Sequence, residues 1–122
     1  KTLAHEYAHI AIKEFCGHNK PKWLNEGLSC YLANQEKTTP SKEHLLKIFN
    51  YYDKLDKDIY NIGYFWVKFL IEKFGKEKIL ELIKNMNNST NEKQFAKIFY
   101  KIYMFHYSKQ SLDKLLSEEG KN

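Results

Sequence analysis

Arginine is absent from this chain of 122 residues, so all 20 of its basic side chains are lysines. Recognition of phosphate or guanine favours the bidentate fork of arginine. The lysines here are also interspersed with acids instead of forming a block. The net charge of +5 therefore reads as a solvated surface and not as a nucleic-acid face. Proline and glycine are scarce, at two and five residues, which argues against extended disorder. No apolar run approaches the roughly 18 residues of a membrane span, and no signal-peptide pattern is visible. The two cysteines, Cys16 and Cys30, make neither a CxxC pair nor a disulfide framework. Buried thiols are the expectation.

What is present is apolar and helical in period. With 43% hydrophobic and 16% aromatic residues, the chain falls among globular proteins, and its length allows one domain with a modest core. The pattern predicts an all-α fold of six to seven helices. A first helix spans residues 2–16 and stops at Gly17; a second spans 23–36 and is broken by Thr38-Thr39-Pro40-Ser41. Ser41 can cap a third, carrying Leu45, Leu46, Ile48, Phe49 and Tyr52. A fourth covers 58–74 and ends at Gly75. Ile79, Leu82, Ile83 and Met86 lie at helical spacing in a fifth, Phe95, Ile98, Phe99 and Ile102 in a sixth, and 112–116 form a short seventh. Residues 118 and 119 are expected to fray. No strand alternation and no internal repeat is found.

The first and fourth helices stand apart, because both are apolar around most of their circumference and so belong at the centre. Yet the first carries His5 and His9 about 40° apart on a wheel of 100° per residue, with Glu6 beside them. Ionisable groups on a buried helix need a partner, and a metal ion satisfies two imidazoles together.

His5-Glu6-Tyr7-Ala8-His9 is an HExxH pattern. Residues at i and i+4 lie one turn apart, so two imidazole nitrogens can converge on one ion, at the zinc–nitrogen distance of about 2.0–2.1 Å. Glu6 projects where it can reach a water held at the metal. A catalytic zinc needs a third protein ligand. The position six residues after the second histidine is Phe15, which departs from the metzincin arrangement. Glu14 lies on the far side of the helix. His18, in the following loop, stays conceivable. Glu26 is better placed, near the start of the second helix, which can fold back across the loop at 17–22.

HExxH followed by Trp23-Leu24-Asn25-Glu26-Gly27 resembles the gluzincin class of metallopeptidases, above all the families related to the M1 aminopeptidases and other peptidases of the same superfamily. The resemblance implies that Glu26 is the third zinc ligand and that Asn25 orients a ligand from behind. It also implies that Tyr60, three residues before Gly63, donates its hydroxyl to the oxyanion of the tetrahedral intermediate. Tyr64, one turn on, is the rival for that role. On the same resemblance the chain is the C-terminal part of a larger catalytic domain, packing against a missing N-terminal region that holds the β-sheet and the specificity motif.

The resulting expectation is zinc-dependent hydrolysis of peptide bonds in a peptide or protein substrate, with Glu6 as general base. The alternative is a non-catalytic, zinc-stabilised helical module that binds another protein or the rest of its parent chain. A basic nucleic-acid-binding domain is the third and weakest reading. The aromatic residues from 95 to 105 read as core, and His44 and His106 as isolated surface or packing residues.

Overall fold

The computed structural model describes residues 21–86, 89 and 91–119. They form six helices, and no strand occurs among them, so the fold is all-α. The helix expected over residues 2–16 lies outside the described residues.

Helix α1, Lys22–Leu32, begins after Pro21, whose extended backbone (φ −68°, ψ 144°) suits a position just outside a helix. The Lys22 amide donates to the Tyr52 carbonyl at 2.8 Å, so even the open end of the helix is tied to a distant segment. Every residue from Trp23 to Cys30 is buried. The helix is shorter than its sequence suggests, ending at Leu32 and not near 36. Asn34 takes the left-handed conformation (φ 56°). The Gln35 amide then donates to the Cys30 carbonyl at 2.9 Å and the Asn34 amide to the Tyr31 carbonyl at 3.1 Å. This pair of bonds is the Schellman closure, and asparagine reaches it without glycine because its short polar side chain tolerates the left-handed region.

After an irregular stretch, α2 (Lys42–Leu45) starts at Ser41, whose hydroxyl accepts the His44 amide. It tightens into a 3-10 turn over Leu46–Tyr51. Helix α3, Asp58–Phe74, has the bounds its apolar pattern predicts. The Trp66 indole donates to the Leu45 carbonyl at 2.8 Å, which fixes α2 against α3. Gly75, at φ 97°, turns the chain directly into α4 (Lys76–Asn85). Helix α5, Glu92–Tyr103, is capped by the Asn91 side chain, which accepts the Gln94 amide at 2.9 Å. Lys78 on α4 donates to the Ile102 carbonyl at 3.0 Å, joining α4 to the end of α5.

Helix α6, Lys109–Glu119, is about twice as long as the expected 112–116 and runs through the residues expected to fray. Ser108 accepts the Ser111 amide at its start. Lys42 forms an ion pair of 2.6 Å with Asp113 and donates to Ser117 at 2.9 Å, holding α6 along the α2 region. The polar ends of α6 carry no apolar period, which is why the sequence pattern under-reads it.

An aromatic cluster closes the core. Trp23 of α1, Phe95 and Phe99 of α5, and Tyr107 meet there, with the Phe95 and Phe99 rings each 5.2 Å from that of Tyr107. The Trp23 indole donates to the Tyr107 hydroxyl at 3.0 Å. Burying rings of this size supplies much of the apolar area that a small domain needs.

Candidate functional site

Of the six residues singled out by the sequence, Asn25, Glu26 and Tyr60 lie within the described residues. His5, Glu6 and His9 lie outside them, as do Cys16 and His18.

Glu26 and Asn25 sit in the second turn of α1 and are only 8% and 4% exposed. Glu26 therefore faces the interior and not bulk water. Carboxylates are rarely found at that depth, because desolvation disfavours the charge unless something compensates it. Behind Asn25, the fully buried Ser29 hydroxyl donates to the Asn25 carbonyl at 2.8 Å. Cys30, one residue further, is also buried.

This turn of α1 is set against α3 by a contact of backbone on backbone. Gly27 of α1 crosses Gly63 of α3 so closely that a Cβ added to Gly27 would lie 2.2 Å from the Gly63 carbonyl oxygen. A Cβ added to Gly63 would lie 2.5 Å from the Trp23 carbonyl oxygen. Such a crossing admits only hydrogen at both Cα atoms. It brings the Asn25–Glu26 turn of α1 beside the turn of α3 that begins at Tyr60.

Tyr60 is the third residue of α3 and is half-buried, with the Lys37 ammonium 5.8 Å from its ring centroid. Tyr64, the rival, is 8% exposed and packs its ring 6.4 Å from that of Tyr31. Tyr60 is thus the more accessible of the two hydroxyl-bearing rings.

Beyond this turn the outer face of α3 and the segment from Lys37 to Thr39 enclose a cleft of about 280 Å³. Phe65 and Phe69 form its apolar wall and Lys68 joins Lys37 at its edge. Sequence reading passes over this cleft because its two sides come from segments separated by a whole helix. The local signal was Lys68, a lysine set among aromatic and aliphatic residues of α3.

Among the described residues no group of three or more histidine, cysteine, aspartate or glutamate side chains could hold a metal ion. Also among them, no helix is long and apolar enough to cross a membrane. The chain matches no model of a known protein family, no curated protein and no solved structure.

These findings overturn the gluzincin resemblance. No family model covers the HExxH and Trp23–Gly27 segments, and no three-donor group appears on the described helices. The Trp23-Leu24-Asn25-Glu26-Gly27 run has its own explanation in packing. Trp23 and Leu24 are core residues at 0% and 1% exposure, and Gly27 is dictated by the crossing with Gly63. Three of the five letters that carried the likeness follow from this fold's own packing.

Proposed function

We propose that the chain binds one zinc ion through His5, His9 and Glu26 and hydrolyses a peptide bond in a peptide or protein substrate. The observation that carries the reading is the His5-Glu6-x-x-His9 spacing combined with a carboxylate, Glu26, held in the interior of α1. The two histidine ligands and the role of Glu6 rest on that chemistry and not on kinship.

Two imidazoles and one carboxylate suit zinc and leave one coordination position open. When bound, the ion supplies Lewis acidity, which brings the ionisation of water into the neutral range. The remaining work falls to the chain's own side chains. Glu6 accepts the proton of the attacking water and returns it to the leaving amine. Tyr60 donates its phenolic hydrogen to the carbonyl oxygen as negative charge builds there. To Asn25, the equally buried neighbour of Glu26, we assign the task of orienting that carboxylate. A zinc-stabilised binding module would use the same donors but would have no task for Glu6.

Metal analysis together with a peptidase assay tests the proposal. The parent chain and Glu6→Gln should each carry one zinc, with hydrolysis at least ~100-fold slower in the variant. A Glu6→Gln variant as active as its parent, or a parent chain that takes up no zinc, removes the proposal.

A further inference from the structure

The cleft beside Tyr60 holds a pair of lysines in an unusual setting. Lys37 and Lys68 are half-buried, whereas most lysines on the described helices are exposed. Each ammonium stands over a tyrosine ring, Lys37 at 5.8 Å from the Tyr60 centroid and Lys68 at 5.9 Å from that of Tyr64. Both line the same cleft. The ion pairs Lys42–Asp113 and Lys54–Asp56 lie elsewhere and involve neither cleft lysine. The cleft thus combines two cations with the apolar rings of Phe65 and Phe69 and the amide of Asn61.

An ammonium over an aromatic face keeps part of its hydration and gains electrostatic attraction from the ring. A carboxylate arriving between two such ammoniums meets a site already positive and partly shielded from water, where charge attraction is stronger than on an open surface. The volume, about 280 Å³, lies at the small end of the range for ligand sites and suits one or two side chains. Lys37 lines the cleft and its ammonium lies 5.8 Å from the Tyr60 ring centroid, so Tyr60 stands at the edge of the cleft. A substrate carbonyl held at Tyr60 would therefore deliver a neighbouring side chain into it.

We infer that this cleft is a specificity subsite that selects peptides with an aspartate or glutamate side chain close to the scissile bond, an inference that rests on the peptidase reading. Glu72 lines the same cleft one turn beyond Lys68. It opposes an incoming anion but leaves the site with a net charge of +1, two lysines against one carboxylate. Lys37 and Lys68 act as specificity determinants and take no part in the bond-breaking step.

The test uses the full chain loaded with zinc and carrying Glu6→Gln, so that binding is read without turnover. Four pentapeptides blocked at the N-terminus are titrated by calorimetry and by amide shifts of Phe65 and Lys68. Three have amidated C-termini and differ only in a central Glu, Gln or Lys; the fourth has a central Gln and a free C-terminal carboxylate. The Glu peptide should bind about 10-fold tighter than the Gln peptide, as two partly shielded charge pairs allow. Lys68→Glu should abolish or invert that order, and Glu72→Gln should widen it. Equal binding of the amidated peptides, or an order unchanged by both Lys37→Glu and Lys68→Glu, overturns the inference. Shifts at Lys68 caused only by the free-carboxylate peptide overturn it too, by giving the site to a chain terminus. With Glu6 restored, Glu-selective binding without cleavage of any peptide would sink the peptidase reading and leave the cleft. Cleavage blind to the acidic residue would do the reverse.

Discussion

Gly27 and Gly63 meet at the centre of the molecule with no side chain between them, and a methyl group on Gly27 would press to 2.2 Å from the Gly63 carbonyl oxygen. The neighbour here is backbone, which cannot swing aside as a flexible side chain would. Helices α1 and α3 are therefore locked at one register, and Glu26 and Tyr60 inherit their relative placement from that lock.

Gly27→Ala should cost at least the ~1–3 kcal/mol typical of overpacking, measured as a fall in urea midpoint at unchanged m-value. Gly75→Ala is the control. Its φ of 97° and ψ of 154° are strained for alanine, but the nearest atom to an added Cβ is the Glu77 carboxylate oxygen at 3.4 Å, so the conformational penalty of about 1–3 kcal/mol applies without a clash. A Gly27→Ala protein as stable as the parent would refute the close crossing.

The Trp23 indole and the Tyr107 hydroxyl form a second long-range lock. Tyr107→Phe leaves the N–H of a fully buried indole without its acceptor, at a cost of ~1–3 kcal/mol. Trp23→Phe costs ~3 kcal/mol or more through lost packing. The two residues share one bond, so the double variant should lose less than the sum of the single losses. Strict additivity in a double-mutant cycle would show that the bond contributes nothing.

Alkaline pH should unfold the protein through its tyrosines. Burial, then the hydrogen bond to Asp56 and that carboxylate's charge, push Tyr51 up to about 12. Burial likewise raises Tyr103 and Tyr107. An unfolded tyrosine releases its proton near pH 10, while the folded Tyr51 keeps it until about 12. The stability it contributes is complete below pH 10 and is lost as pH rises from there to about 12. Urea midpoints measured across that window should decline, and Tyr51→Phe should decline less steeply, because Tyr103 and Tyr107 still titrate. A variant with the parent's slope would show that Tyr51 ionises normally in the folded state.

Zinc should stabilise the chain if His5, His9 and Glu26 hold it. Free zinc at 100 times its dissociation constant adds about 2.7 kcal/mol of folding stability, visible as a rise in Tm that a chelator reverses. Glu26→Ala should abolish the zinc-dependent part of Tm while its circular dichroism stays helical. A zinc effect of equal size in Glu26→Ala would assign the ion to other residues.

The helices were legible where their signals are local. Ser41 accepts an amide at the start of α2, Gly75 stops α3, and the apolar period of α3 predicts its bounds. The end of α1 was misread because its stop is an asparagine in a polar stretch, Asn34, without the glycine or proline that usually marks such a turn. Two of the candidate-site residues prominent in the sequence, Glu26 and Asn25, are buried. The family likeness built around them failed, because a tryptophan and a glycine at fixed spacing can be demanded by packing as readily as by catalysis.

The order of residues by itself decided that this chain would be helical, since caps, stops and the 3.6-residue period act within one turn of the residues that carry them. Only the tertiary structure decided that Gly27 would face Gly63, that Trp23 would reach Tyr107, and that Lys37 and Lys68 would share a cleft. Those pairings join positions more than 30 residues apart in the sequence. Each arises from how whole helices fit together, and no short stretch of the chain encodes that fit.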